Sequence, residues 1–389
     1  MNTESILNLR KFLAPEIVYG DGAIALSGRH ADNLGASKVF IVTDPGVRRA
    51  GWTSSVEESL KQAEIPFTIF DEVTENPKDY EVMNGARICK KESCDLIIAV
   101  GGGSPMDCAK GIGVVMGNPG HILEFQGVDM IPNPGPPLIF IPTTAGTSAD
   151  VSQFAIITDT ARKIKITIIS KMVIPDIALI DPKTTTTMSD ELTAATGMDA
   201  LCHAFEAFVS TASSPLTDMA AIAAVEIIAD NLLKAYQEPG NMIYRDKMMT
   251  ASLMAGLAFS NASLGMVHAM AHSLGGGLGL PHGECNALLL EKVVLFNYSA
   301  ASGKYDQLAK AMHLDINRHT IEEKGYVISE QIATLRKKLN INQKLIDLGV
   351  KSSDIPELCK FAFMDPCLAT NPQEATPEDI EKVYLQIYK

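Results

Sequence analysis

Residues 95–113 read DLIIAVGGGSPMDCAKGIG, and this stretch decides the fold class. It opens on an apolar run without polar alternation, as expected for a strand that is covered on both faces. Three glycines follow, and a helical pattern begins directly after them. A strand, a glycine-rich turn and a helix in this order predict a βα unit of a parallel sheet, with backbone N–H groups facing an anion at the helix start.

The same alternation extends over the first half of the chain. Short β-branched runs occur at 38–44, 67–73, 137–144, 154–159, 164–170 and 177–182. Helix-length segments separate the early runs, which predicts βαβ units. The runs at 154–159 and 164–170 have no helix between them, and they predict a hairpin at the edge of the sheet.

The pattern changes near residue 184. Ser189 or Asp190 can cap a helix, and helical patterns rich in Ala, Met and Leu continue to the C-terminus. We therefore expect an α/β domain at 1–187 and an all-helical domain at 188–389.

Composition narrows the class of protein. The 389 residues are 46% hydrophobic and 20% charged, with a formal net charge of −13. An acidic surface argues against nucleic acid or an anionic membrane as the main partner. Seven cysteines without a CxxC pair, and the lack of a signal-peptide pattern, favour the reducing cytoplasm. No apolar stretch is long and uncharged enough to span a bilayer.

Two loops and one acidic residue predict a dinucleotide site. The loop at 99–113 lacks Walker A and GxGxxG spacing, so alone it also fits a plain turn. Asp44 ends the run KVFIVTD, where a carboxylate can accept hydrogen bonds from a ribose and repel a 2′-phosphate, although Asp is also common in turns. The segment FIPTTAGTSADVS (140–152) could wrap a pyrophosphate, or be a surface turn. Its candidate contacts are Thr143, Thr144 and Thr147.

Five potential metal ligands lie in two later segments. Asp199 and His203 are four residues apart, as are His268 and His272, so each pair shares one helix face. His282 follows a glycine-rich loop. A single histidine is usually a hydrogen-bonded core residue, but this clustering of carboxylate and imidazole suits Zn²⁺ or Fe²⁺. The spacing leaves open which four of the five bind.

Six motifs together resemble the iron-containing (group III) alcohol dehydrogenases over nearly the whole chain. They are GGGSPMDCAK, IPTTAGTSAD, ALIDP, TAATGMDALCHAFEAF, GMVHAMAHSLGG and PHGECNALLL. The resemblance implies the dehydroquinate synthase-like fold of that family: an α/β dinucleotide-binding domain, an all-helical metal-binding domain, and a catalytic cleft between them.

The resemblance also implies roles for individual residues. The implied metal ligands are Asp199, His203, His268 and His282, and the implied active-site residue beside the nicotinamide is His272. Cofactor contacts are implied at Asp44, Asn76, Gly102, Gly103, Ser104, Thr143, Thr144 and Lys165. Two departures stand out. Residues 277–280 replace a bulky aromatic that family members often carry, which would widen or reshape the pocket, and Thr184 stands where an aliphatic residue is usual near the cofactor.

These features predict a metal-dependent, NAD(H)-linked alcohol dehydrogenase acting on a small primary alcohol, diol or aldehyde. We expect Fe²⁺, with Zn²⁺ as the alternative, NAD preferred over NADP, and a homodimer or larger homo-oligomer. One rival is a glycerol or polyol dehydrogenase of the same superfamily. Another is a lyase like dehydroquinate synthase, which would need Lys and Arg, and segments 197–208 and 263–284 contain neither. A purely structural metal site would usually have Cys ligands.

Overall fold

The computed structural model describes residues 10–389. The strands in this part of the chain are β1 Glu16–Tyr19, β2 Val39–Val42, β3 Phe67–Phe70, β4 Leu96–Gly101, β5 Gly127–Val128, β6 Leu138–Pro142, β7 Phe154–Asp159, β8 Ile164–Ile169 and β9 Ile177–Ile180. The helices are α1 Ser27–Asn33, α2 Pro45–Ala50, α3 Trp52–Gln62, α4 Asp79–Lys91, α5 Gly103–Gly117, α6 Asp190–Val209, α7 Pro215–Gln237, α8 Met242–Ala262, α9 Met266–Leu278, α10 His282–Asn297, α11 Ser302–Ala311, α12 Ile321–Lys338, α13 Ile355–Met364 and α14 Pro377–Tyr388.

The main sheet is parallel and confirms the predicted α/β fold. Its strand order is β1-β9-β6-β4-β2-β3, and every described pairing within it is parallel. β4 lies near the centre and is buried along its whole length, as its unbroken apolar run predicts. The sequence patterns did not reveal β1, because this four-residue edge strand is only partly covered.

The predicted hairpin forms, but its predicted place was wrong. β7 and β8 pair antiparallel, with Phe154 opposite Ile169. They belong to a separate three-stranded sheet of order β5-β8-β7. The edge strands of the main sheet are β1 and β3, and the hairpin pairs with β5 instead of either. Strand periodicity alone does not reveal which sheet a hairpin joins.

From residue 190 to 389 the described elements are helical, as predicted. Ser189 caps α6, and its Oγ accepts the Leu192 N–H at 3.2 Å. α6 is buried on nearly all sides, which requires close neighbours. A Cβ at Gly197 would lie 2.1 Å from Leu232 of α7. Helices α6 and α7 can therefore pack this closely because Gly197 has no side chain. Within residues 10–389, no single helix has the length and apolar composition to cross a membrane, although α8 and α9, bent by 98°, meet both criteria together.

The two parts of the chain touch where α9 packs against β8. A Cβ at Gly276 would lie 2.7 Å from the backbone nitrogen of Lys165, and one at Gly275 would lie 2.8 Å from the Lys165 Nζ. Only glycine permits the approach at Gly276, where the neighbouring atom belongs to the backbone, whereas the lysine side chain near Gly275 can move. The contact brings the small sheet against the helix that carries His268 and His272.

Candidate active site

One cleft of about 810 Å³ lies between the carboxyl end of the main sheet and helices α6, α9 and α10. Its wall contains every predicted site residue: Asp44, Asn76, Gly102, Gly103, Ser104, Thr143, Thr144, Thr147, Lys165, Asp199, His203, His268, His272 and His282. The carboxyl ends of parallel strands are the usual ligand-binding edge of an open α/β sheet. The structure therefore brings residues that are far apart in sequence to one place.

The glycines after β4 form the start of α5. Gly102 is the residue before the helix, and Gly103 is its first residue. A Cβ on Gly102 would lie 3.2 Å from Thr144, and one on Gly103 would lie 3.2 Å from Thr147. The hydroxyl-rich loop thus packs directly over a helix N-terminus, which is a favourable place for a phosphate group.

Asp44 has a structural contact as well as a place in the cleft. It caps α2, with Oδ1 accepting the backbone N–H groups of Gly46 at 2.7 Å and Val47 at 2.9 Å. Arg49, near the end of this short helix, also lines the cleft. The turn interpretation of Asp44 is therefore correct, and it is compatible with a second contact from the other carboxylate oxygen.

Asn76 and Lys165 also line the cleft. Asn76 has a φ of 54°, a left-handed conformation that Asn tolerates better than most residues, and its N–H donates to the Ser104 hydroxyl at 3.2 Å. Burial lowers the pKa of Lys165. Thr184, in contrast, is not part of the described cleft wall. Its hydroxyl contacts the carbonyls of Pro142 and Asp181 at 2.6 and 2.7 Å.

The metal candidates converge on one part of the cleft wall. Donor atoms of Asp199, His268 and His282 all lie within 4.8 Å of one another. The Asp199 Oδ1 is 3.6 Å from His268 Nε2 and 3.8 Å from His282 Nε2. His203 Nε2 is 3.9 Å from the same oxygen, and its ring stacks on that of His268 with centroids 4.5 Å apart. Helices α6, α9 and α10 each supply part of this group.

The protonation states of this group suit a cation. Burial lowers the pKa of His203 to about 3 and that of His282 well below its usual range, so both rings are neutral near pH 7. Burial also lowers the pKa of His268, but its hydrogen bonds with Asp199 and Glu206 outweigh this and raise that pKa to about 9. Burial raises the pKa of Asp199, but its interactions with His203, His268 and His282 outweigh it and leave the pKa lowered. A divalent metal requires an ionised carboxylate and neutral imidazoles, so a bound metal would displace the proton that His268 otherwise holds.

Two residues that the sequence patterns did not single out complete the group. The Asn286 Nδ2 lies 2.6 Å from Asp199 Oδ1, 3.1 Å from His268 Nε2 and 3.2 Å from His282 Nε2. These three acceptor atoms therefore face one point. The Asn286 Oδ1 and the His282 Nδ1 are buried without a hydrogen-bond partner among residues 10–389. The arrangement fits a cation in the centre of the group.

Glu206 is the second such residue. It is buried, and its Oε2 lies 2.6 Å from His268 Nδ1, while its Oε1 accepts the Val267 N–H at 2.6 Å. A carboxylate at Nδ1 leaves the His268 Nε2 lone pair facing Asp199 and fixes the ring orientation. The signal for Glu206 was present in the sequence, because it follows His203 by three residues on an apolar helix.

Glu206→Gln should weaken metal retention. The amide can still accept from Val267, but its NH₂ group then faces His268 Nδ1 and favours the tautomer that cannot bind metal through Nε2. We expect metal affinity to fall roughly 10- to 100-fold, measured by equilibrium dialysis against a chelator. The matched control is Glu191→Gln, on an exposed site of the same helix. Equal retention by both variants would contradict this role.

His272 lies beside the metal group rather than within it. Its ring stacks on that of His282 with centroids 5.3 Å apart, and its Nδ1 is 2.9 Å from Asp365 Oδ2. Burial raises the pKa of Asp365, but the charge and hydrogen bond of His272 outweigh it and hold that pKa below its usual range. No sequence pattern indicated Asp365, because it follows α13, far along the chain from α9.

The wall beside the metal group is apolar. Phe259 stacks on His203 with centroids 4.3 Å apart, and Phe154 packs on Phe259 at 5.8 Å. The cleft wall includes Pro281, His282 and Gly283 but not residues 277–280. Leu278 is 39% exposed and Gly277 packs toward Leu358. The expectation that residues 277–280 widen or reshape the pocket stays a prediction.

Comparisons with known proteins agree with this architecture. A model of "Iron-containing alcohol dehydrogenase" matches residues 14–182, and one of "Fe-containing alcohol dehydrogenase family, C-terminal" matches residues 193–388. The chain is 39% identical to 1,3-propanediol dehydrogenase of Citrobacter freundii, across 97% of this chain and 98% of that protein. It is 36% identical to NAD-dependent methanol dehydrogenase of Bacillus methanolicus, across 96% and 98%. A crystal structure of 1,3-propanediol oxidoreductase superimposes with a TM-score of 0.95 at 38% identity, across 98% and 100%.

Proposed function

The chain belongs to the iron-containing alcohol dehydrogenase family, and from this premise we propose that its cleft interconverts small primary alcohols and aldehydes with NAD(H). The activity is that of an NAD-dependent, metal-dependent alcohol dehydrogenase. The observation that carries the proposal is the convergence of Asp199, His268 and His282 in the cleft that Asp44 also lines.

We assign the metal to Asp199, His203, His268 and His282, and the cofactor to the opposite end of the cleft. When bound, the ion would polarise the substrate oxygen and the nicotinamide would carry the hydride. The start of α5 and the loop over it would hold the pyrophosphate through backbone N–H groups and hydroxyls. His272 would move the proton between substrate oxygen and solvent.

The apolar wall determines what the site accepts. Phe154 and Phe259 are buried next to His203, so they would contact the alkyl part of a substrate and exclude water. Removing water from the surroundings of a reacting charge strengthens the local electrostatics. Short unbranched alcohols and aldehydes therefore suit the wall.

We also propose the identity of the metal, the preferred cofactor, the role of each part of the chain, and the assembly and location of the protein. We propose Fe²⁺ as the resident metal, with Zn²⁺ as the alternative, and NAD in preference to NADP. The α/β part at 1–187 would bind the cofactor, and the helical part at 188–389 would hold the metal. The protein would act in the cytoplasm as a homodimer or larger homo-oligomer, on a small alcohol or aldehyde.

Metal add-back tests the proposed activity. Protein purified without oxygen and stripped of metal should lack NADH oxidation, and Fe²⁺ should restore it, because the three proposed histidine ligands all approach Asp199 Oδ1 within 3.9 Å. The assay measures NADH absorbance with short aldehydes, hydroxyaldehydes and glycerol-derived substrates, with Zn²⁺ added in a parallel series.

The pattern of restored activity separates the alternatives. Restoration by Zn²⁺ alone would reassign the metal, and turnover limited to polyols would favour the glycerol dehydrogenase alternative. Tight metal binding without turnover of any substrate would overturn the dehydrogenase proposal and favour a structural metal.

A further inference from the structure

The loop after α13 reaches into the candidate active site. Asp365 follows the last residue of α13, and its side chain is only 8% exposed. One carboxylate oxygen, Oδ2, lies 2.9 Å from His272 Nδ1. The other, Oδ1, accepts the backbone N–H of Cys367 at 2.8 Å. Both oxygens of a buried carboxylate are therefore committed.

The backbone around this pair is held firmly. The Ser273 hydroxyl, next to His272, donates to the Leu358 carbonyl of α13 at 2.8 Å. The Tyr384 hydroxyl of α14 donates to the Met270 carbonyl of α9 at 2.8 Å. Because α9 is tied to both C-terminal helices, the distance between Asp365 and His272 is set by packing rather than by the pair alone.

The chemistry of the pair fixes which nitrogen of His272 faces the reaction. An ionised carboxylate can only accept hydrogen bonds, so Nδ1 must carry a proton. Nε2 is then the ring nitrogen left for the cleft, and it has no hydrogen-bond partner among residues 10–389. A neutral ring in this tautomer offers a lone pair at Nε2, where a substrate proton can be taken up.

We infer that Asp365 is a positioning residue, which holds His272 in the Nδ1–H tautomer with Nε2 directed to the cleft for proton transfer. This inference rests on the proposed function for its catalytic consequence. Asp365 itself does not contact substrate or cofactor in this assignment. It acts only through the imidazole.

The variant Asp365→Asn separates positioning from structure. If its amide oxygen keeps the bond to the Cys367 N–H, its NH₂ group faces His272 Nδ1 and requires the proton to be on Nε2. If the amide were rotated by 180°, its NH₂ group would face the Cys367 N–H, and two hydrogen-bond donors would oppose each other. The size and packing of the side chain hardly change, so the first orientation leaves the fold intact while inverting the tautomer.

The first readout does not need turnover. Protein labelled with ¹⁵N in the histidine rings reports the tautomer of each ring, and the His272 signals are those lost in His272→Gln. We expect Nδ1–H in the wild type and Nε2–H in Asp365→Asn. An unchanged His272 tautomer in the variant would overturn the inference, whether or not the protein is an active dehydrogenase.

The second readout is a double-mutant cycle in kcat with Fe²⁺-loaded protein. General acid–base groups contribute about 10²- to 10⁴-fold, so we expect Asp365→Asn alone to lower kcat on the order of 10²-fold. In the His272→Gln background, Asp365→Asn should lower kcat no further, because the imidazole through which Asp365 acts is absent. The dissociation constant of NADH, read by fluorescence, should stay the same in all variants.

The outcomes distinguish this inference from the proposed function. Equal losses from Asp365→Asn in both backgrounds would indicate a structural role and overturn the inference. Full activity of His272→Gln would instead overturn the proton-transfer role given to His272 in the proposed function, while the ring spectra would still decide whether Asp365 positions it.

Discussion

Asp199→Asn should lower kcat/KM on the order of 10³-fold, because the transition-state stabilisation that a metal supplies amounts to several kcal/mol. The variant keeps the shape of the side chain but removes the negative charge that faces His203, His268 and His282. Without this carboxylate the site keeps only imidazole ligands and loses its main attraction for a cation. Metal content by elemental analysis should fall in parallel with activity.

The control for this prediction lies on the same helix. Asp190 occupies the first turn of α6 and is exposed, so Asp190→Asn should keep both metal and activity. NADH binding should survive in both variants, because the glycine-rich turn and its threonines are on the sheet side of the cleft. Normal metal content in Asp199→Asn would sink the ligand assignment, and lost NADH binding would point to a misfolded cleft.

Asp44→Ser should change the ratio of NAD to NADP efficiency on the order of 10²-fold, since placing two like charges together costs several kcal/mol. Serine removes the charge but is a good helix cap, so the contacts to Gly46 and Val47 can persist. Arg49 lines the same end of the cleft and would then be free to attract the added phosphate. The measurement is kcat/KM for each cofactor with one aldehyde.

Two further variants make this result decisive. Asp44→Gly removes both charge and cap, so it should relax specificity in the same direction and also lower the thermal midpoint. Asp32→Ser, on the exposed side of α1, should leave the ratio unchanged. If Asp44→Ser keeps the wild-type ratio, then Asp44 is a helix cap without a role in cofactor choice.

The sequence predicted the parts of the fold whose pattern is local. β4 is covered on both faces and reads as an unbroken apolar run, and α6 begins at a residue with a capping side chain. β1 and β5 are short and partly exposed, so they leave no pattern. The hairpin β7–β8 was visible in the sequence, but its sheet was not, because strand pairing is set by distant chain segments.

The candidate site follows the same division. Helical spacing and residue type nominated Asp199, His203, His268, His272 and His282 without showing which four bind, and the structure brings all five to one cleft. Asn286 and Asp365 were missed, because an amide or a carboxylate in an ordinary stretch has no periodicity of its own. Their contacts arise from packing between helices that are remote in sequence, which no local reading of the chain contains.

The glycine contact between α9 and β8 has a consequence for recombination among relatives. The residues assigned to the cofactor lie between positions 44 and 165, and those assigned to the metal lie between 199 and 282, so a single crossover near 187 would exchange coenzyme preference as one block. The cofactor-binding segment is not fully independent of the helical part. The backbone of Lys165 lies so close to Gly276 that no side chain fits at that position. In a chimera, α9 can therefore pack against β8 only if the incoming helix also has glycine at this position. A parent with a larger residue there would give two folded parts that cannot pack together at this contact.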